Sequence, residues 1–147
     1  SVLTSDMNAT EVFYLTPISS KNEENKLSQK SILHDEITTV LYFSQSNTGM
    51  SARSGQELEH LLAFIAKHDI TQIELNGHTD DVGDPEKNMR LSWERANLIR
   101  QYLLENNISP ARIKSKAFGC TRPAAPNDTE RNRRFNRRVE IRMALAD

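Results

Sequence analysis

The chain has one cysteine and no long hydrophobic run, and both shortages limit what it can be. Because Cys120 is the single cysteine among 147 residues, no disulfide can form within the chain. The cysteine count therefore favours neither an oxidising nor a reducing compartment. No run of about 18 apolar residues occurs, so the sequence predicts no membrane-spanning helix. The first residue is serine, so we expect a processed or excised fragment that could have lost a signal, lipid anchor or membrane helix.

The sequence also lacks the groupings that metal sites and nucleophilic catalysis require. Its four histidines are scattered, and His78 has no second histidine, cysteine or carboxylate at metal spacing. Cys120 has no evident histidine partner, and Ser92 is better explained as a helix cap. We therefore predict no metal, no cofactor and no catalytic residue.

Composition and charge describe one polar globular domain. Hydrophobic residues make up 37% and charged residues 27% of the chain, and 147 residues suffice for a single core. The net charge of -1 hides an asymmetry: residues 1–84 carry -8 and residues 85–147 carry +7. Such halves are expected to form opposite faces of one fold that attract each other.

The chain divides into two unequal parts. Residues 1–36 form a predicted N-terminal extension or linker, with a short apolar piece at 12–15 that could be a strand and a polar stretch at 19–30. Residues 37–147 have the pattern of a packed domain.

Within that domain, strands alternate with helices. The predicted strands cover residues 38–43, 71–75, 112–119 and 139–143. The predicted helices cover 54–67, with Ser54 and Glu57 as a capping box, and 92–106, with one further turn near 129–134. The second helix is expected to bury a stripe of Ala96, Ile99, Leu103 and Tyr102. The order β-α-β-α-β-(α)-β predicts an α/β fold, a two-layer sandwich with helices packed on one face of a small mixed sheet.

The most informative stretch follows the second strand. Residues 76–83 read Asn-Gly-His-Thr-Asp-Asp-Val-Gly, an acidic loop, and Ser92 is then predicted to begin a helix with Arg95 in its first turn. The helix dipole disfavours a cation at that end, so local helix energetics do not explain Arg95. On this interpretation Arg95→Ala should cost little stability, and Asp80 with Arg95 becomes the candidate ligand pair.

These motifs resemble the OmpA-like (OmpA/MotB C-terminal) peptidoglycan-binding domain over residues 37–144. The first motif of that family is matched by Gly77, His78, Thr79, Asp80, Gly83, Asn88, Leu91, Ser92, Arg95 and Ala96. Its trailing motif is matched by Asn127, Thr129, Arg133, Asn136, Arg137, Arg138, Val139, Glu140 and Ile141.

The resemblance implies non-catalytic binding of the peptidoglycan stem peptide through meso-diaminopimelate, which anchors a periplasmic cell-envelope protein to the wall. It implies that Asp80 takes the ligand's ammonium and Arg95 its carboxylate. A guanidinium can grip a carboxylate with two hydrogen bonds, which fits this assignment. We expect Thr79, Val82 and Asn88 to line the pocket, with Arg137 or Arg138 at its wall.

Several alternatives stay open. The parent protein could sit in the outer membrane, or it could be a MotB-like stator or proton-channel subunit of the inner membrane whose wall binding is regulated. Stator-type relatives act as dimers, so a homodimer is a further expectation. The run 131–138 holds five arginines, which taken alone suggests polyanion binding, although the slightly acidic chain argues against a nucleic-acid partner.

Overall fold

The computed structural model describes residues 35–45, 50 and 52–146. The apolar piece at 12–15 and the polar stretch at 19–30 lie outside the described residues, and the division at residue 36 stays a prediction. In chain order the elements are strand β1 (Glu36–Tyr42), helix α1 (Ala52–Lys67), strand β2 (Ile70–His78), helix α2 (Pro85–Glu105), a 3-10 turn (Pro110–Arg112), strand β3 (Ile113–Ala117), helix α3 (Glu130–Arg133) and strand β4 (Arg138–Leu145).

Within the described residues, the four strands form one mixed sheet in the order β1-β4-β2-β3. β4 lies between β1 and β2 and runs antiparallel to both. β2 and β3 are parallel, as expected for two strands joined through α2. The predicted α/β class and mixed sheet are confirmed.

The core lies between one face of this sheet and the two long helices. Strand side chains alternate between faces, and the inward set includes Ile73, Leu75, Ile141 and Met143. The helices supply a stripe at helical spacing, which comprises Leu58, Leu61 and Ile65 from α1 and Ala96, Ile99 and Leu103 from α2. The stripe predicted for α2 is therefore confirmed.

Strand β2 and helix α2 touch at a point where no side chain fits. A Cβ atom on Gly77 would lie 2.0 Å from the backbone oxygen of Ser92. The Ser92 hydroxyl donates to Met89 O (2.7 Å) and accepts from the backbone N–H of Gly119 (2.9 Å). Gly119 O in turn accepts from the backbone N–H of Thr79 (2.8 Å). These bonds tie the loop after β3 to both α2 and the end of β2.

Both predicted helix starts were wrong. Helix α2 begins two turns before Ser92: Asp84 is its N-cap and accepts from the backbone N–H of Lys87 (3.1 Å), and Pro85 occupies the first turn. Helix α1 begins at Ala52, so Ser54 is helical and its hydroxyl donates to Tyr42 O (3.3 Å) instead of forming a capping box.

The contact at Gly77 yields a stability prediction. Gly77→Ala places a methyl group against the α2 backbone, so we expect a loss of about 3 kcal/mol or more in the free energy of unfolding. The matched control is Gly55→Ala in α1, where a Cβ meets nothing within 4 Å. That substitution should raise stability by about 0.5–1 kcal/mol, because alanine favours helix. Urea unfolding of both variants measures the difference, and similar values would contradict the close approach.

Candidate ligand-binding site

The loop after β2 is held from inside by its own polar groups. The Thr79 hydroxyl donates to Asp80 O (2.8 Å), and Asp80 Oδ1 accepts from the backbone N–H of Val82 (3.1 Å). The Asn88 amide reaches back from α2 and donates to Val82 O (3.1 Å) and to Asp80 O (3.4 Å). Thr79, Asp80 and Asn88 are buried, whereas the Val82 side chain is 42% exposed. The structure thus brings these four predicted residues together.

Asp80 is paired with one of the two candidate arginines of the trailing motif. Its Oδ2 accepts from Arg137 Nη1 (3.1 Å), and both side chains are nearly buried. The same guanidinium donates from Nη2 to Glu130 Oε2 (2.8 Å) and from Nε to Phe43 O (3.3 Å). Arg137 therefore lies between two carboxylates.

Arg95 reaches the same end of β2 from α2, but from within the helix. It is the eleventh residue of α2 and is 0% exposed, so the predicted first-turn position was wrong. Its Nη1 donates to His78 O (3.1 Å) and its Nη2 to Ser44 O (2.7 Å), and its guanidinium lies 5.2 Å from the centre of the Phe43 ring. The residue is therefore structural as well as charged.

The charge of Arg95 is balanced locally. Burial lowers the pKa of Arg95 to about 10, an effect opposed by the charge of Asp80 and reinforced by that of Arg137. The side chain is therefore cationic at neutral pH and senses both residues. Asp80, Arg95 and Arg137 form one electrostatic group at the end of β2.

Arg138 does not join this group. It lies on the face of the sheet opposite α1 and α2, where its Nε (2.8 Å) and Nη2 (2.7 Å) both bind Glu140 Oε2. Glu140 also lies 3.7 Å from Nε2 of His78, a buried ring stacked on Phe118. His78 and Arg138 lower the pKa of Glu140 to about 2 against the effect of burial. Consecutive arginines thus serve opposite faces of the sheet.

The run 131–138 is not a continuous basic surface. Arg137 and Arg138 are buried in ion pairs, and Arg133 is largely buried, with its Nε 3.6 Å from Glu130. Only Arg131 and Arg134 are exposed among the five arginines. The pattern that suggested polyanion binding is therefore mainly internal.

Two contributors were absent from the predicted site residues. Glu130 accepts from Arg137. Asn136, which is 0% exposed, holds the loop at 124–127: its Oδ1 accepts from the backbone N–H groups of Ala124 and Ala125, and its Nδ2 donates to Ala125 O and Asn127 Oδ1. Glu130 follows the N-cap residue Thr129. The helix dipole alone explains an acidic residue at that position, so nothing in the sequence marked Glu130 as a partner of Arg137. Asn136 belongs to the trailing motif, which was the available signal for it.

Other features of the described residues lie apart from this group. A shallow depression of about 740 Å³ occupies the opposite end of β2, beside Ile70 and Arg112. Among the described residues no set of three His, Cys, Asp or Glu side chains could hold a metal ion. No helix in the described part of the chain is long and apolar enough to cross a membrane.

The fold and this charged group define a two-layer α/β domain with two buried arginines beside a strand-end aspartate. A profile of the OmpA family matches residues 42–137, so the chain belongs to that family, as the motifs predicted. The chain is 39% identical over 84 residues to outer membrane porin F of Pseudomonas fluorescens, which covers 57% of this chain and 26% of the porin. It thus spans about a quarter of that relative.

Two further similarities cover most of the chain. Over 119 residues it is 30% identical to the peptidoglycan-associated lipoprotein of Pseudomonas putida, which covers 81% of this chain and 70% of the lipoprotein. The C-terminal domain of Helicobacter pylori MotB has a TM-score of 0.66 and 26% identity, with 74% of this chain and 85% of that domain covered. Relatives therefore include both lipoprotein and MotB types.

Because Arg95 is buried, its replacement is expected to lower stability, contrary to the prediction from the sequence. Arg95→Ala leaves a cavity and removes the donor to the buried His78 O and to the partly buried Ser44 O, so we expect a loss of about 2–4 kcal/mol in unfolding free energy. The control is Arg90→Ala on the exposed face of the same helix, which should change stability by less than about 0.5 kcal/mol. Denaturant unfolding compares the two, and equal shifts would contradict the structural role of Arg95.

The face of the sheet opposite α1 and α2 yields a pH prediction. The pKa of Glu140 is lowered from an ordinary 4.5 to about 2, so its stabilisation is complete above pH 4.5 and is lost as the pH falls toward 2. Glu140→Gln should therefore flatten the acid side of the stability curve in that window. Melting temperatures from pH 2 to 6 test this, with the exposed Glu105→Gln as control. An unchanged slope in Glu140→Gln would refute the shift.

Proposed function

We propose that this chain is a non-catalytic module that binds the peptide stem of peptidoglycan through meso-diaminopimelate. Bound in this way, it holds a cell-envelope protein at the wall from the periplasmic side. The observation that carries the proposal is the ion pair of Asp80 with buried Arg137, beside the buried and electrostatically coupled Arg95, at one strand end. Buried charge of both signs suits a ligand end that carries an ammonium and a carboxylate.

The Asp80 carboxylate has acceptor capacity left for an ammonium. Each of its oxygens accepts one hydrogen bond, from Val82 N and from Arg137, whereas a carboxylate has about four acceptor positions. The guanidinium of Arg95 is fixed to the backbone of His78, two residues before Asp80. We assign the ligand carboxylate to Arg95, and the wall of the site to Thr79, Val82, Asn88 and Arg137.

Access comes from the loop side. Asp80 is only 3% exposed, while the four residues that follow it, 81–84, are all exposed. A ligand approaching over Val82 would reach Asp80, and contact with Arg95 would exchange the bond from its Nη2 to Ser44 O. Arg138, which lies on the other face, takes no part in this proposal.

The relatives support wall binding without selecting a parent complex. One is named a peptidoglycan-associated lipoprotein and another is a MotB domain. We propose attachment to the inner or outer membrane through another part of the protein, and a regulated stator-type anchor remains the alternative parent. The homodimer stays a prediction that light scattering can test.

Wall binding can be tested by co-sedimentation. The 147-residue chain should pellet with insoluble sacculi that contain diaminopimelate, and less with sacculi in which lysine replaces it, because lysine lacks the second carboxylate. Equal binding to both walls would show that no residue of the chain recognises that carboxylate. Release of soluble muropeptides during incubation would overturn the non-catalytic assignment.

Asp80→Asn separates the site from its scaffold within the same assay. The amide keeps an oxygen for Val82 N, and Arg137 keeps Glu130, so the variant should remain folded. Its affinity for diaminopimelate sacculi should fall by about tenfold or more, since a charge-assisted bond is lost. Asp81→Asn, the same change at the exposed neighbour, should bind normally. Equal loss in both variants would remove Asp80 from the site.

A further inference from the structure

Arg137 divides its hydrogen bonds between a buried and an exposed carboxylate. Nη1 donates to Asp80 Oδ2 (3.1 Å) and, at 3.4 Å, to Glu130 Oε1, while Nη2 donates to Glu130 Oε2 (2.8 Å). The Arg137 side chain is 6% exposed and that of Glu130 is 57% exposed. Glu130 thus accepts the shortest of these three bonds, and it accepts from both Nη1 and Nη2 of the guanidinium, whereas Asp80 accepts from Nη1.

This division gives Asp80 only one hydrogen bond from Arg137. A guanidinium can bind one carboxylate through two parallel bonds, and a buried cation requires a carboxylate partner. Without the charge of Glu130, Asp80 would be the remaining carboxylate among the recorded partners of Arg137. Arg137 would then bind Asp80 more fully and compete there with any incoming cation.

We propose that Glu130 is a specificity-determining residue: by holding Arg137, it keeps Asp80 available to the ammonium of a zwitterionic ligand. The inference rests on the proposed function and names a residue outside the Asp80 and Arg95 pair. It assigns to Glu130 a preference for free-amine ligands over their acylated forms, and no direct contact with the ligand.

The surroundings of Glu130 fit this role. Thr129 caps α3 and accepts from Asn132 N (3.1 Å), which fixes the backbone at Glu130. The hydrogen bond from Arg137 lowers the pKa of Glu130, so the carboxylate stays ionised in mild acid. Arg133 Nε lies 3.6 Å from the same carboxylate and is the competing cation.

The test compares two soluble probes by titration calorimetry. One is the stem tripeptide ending in meso-diaminopimelate with its free amine; the other is the same tripeptide with that amine acetylated. The unaltered chain should prefer the free amine. Glu130→Gln should reduce that preference by about fivefold, because an exposed ion pair has a modest effect.

Two further variants keep the test decisive. Glu130→Asp retains the charge and should keep most of the preference, while Glu105→Gln, the same charge loss at the far end of α2, should keep all of it. Melting curves confirm folding of each variant.

The outcomes separate the two proposals. A merely structural Glu130 would weaken both probes equally, and an unchanged affinity ratio in Glu130→Gln would overturn the inference while wall binding stands. If the unaltered chain bound neither probe, the proposed function itself would fail, and the role of Glu130 with it.

Discussion

The rest of the structure depends on the contact between Gly77 and the backbone of α2 at Ser92. With no side chain between them, helix and strand lie close enough for short polar groups to bridge them. Three residues on the inner face of α2 use this proximity: Asn88 holds the loop, Ser92 holds Gly119, and Arg95 binds His78 O. A wider spacing would break all three bridges together. The site is therefore set by the packing of one glycine.

Once α2 is in place, the electrostatics of the strand end follow from burial. Two guanidinium groups and one carboxylate lie out of solvent, and such charges are costly unless their partners are close and well oriented. Backbone carbonyls solvate Arg95, whereas Asp80 and Glu130 share Arg137. A site built from internally satisfied charges is preorganised, and a zwitterion can bind by exchanging contacts with it without having to order a loose loop.

The sequence predicted the strands and the helical stripe because apolar periodicity records which face is buried, as in Ile99 and Leu103. It failed where one residue type suits two roles. Ser92 resembles an N-cap, yet its hydroxyl serves a distant loop, while Asp84 and Pro85 were the true start signal. The burial of Arg95 depends on α2 lying against Phe43, 52 residues earlier, a contact that no local pattern contains. Arg137 and Arg138 lie on opposite faces of the sheet. The pairing of β4 with its neighbouring strands decides which arginine lies on which face.

The motifs that identify the family therefore mix two kinds of residue. Gly77 lets α2 approach the strand, and Ser92 and Asn136 hold the loops around the strand end by hydrogen bonds. Asp80 carries the charge from which the ligand proposal is made. A related chain could keep the building residues and lose the carboxylate, and it would then retain this fold and its family match without the proposed binding. Membership of the family is thus evidence for the scaffold, and the charged group is separate evidence for the ligand.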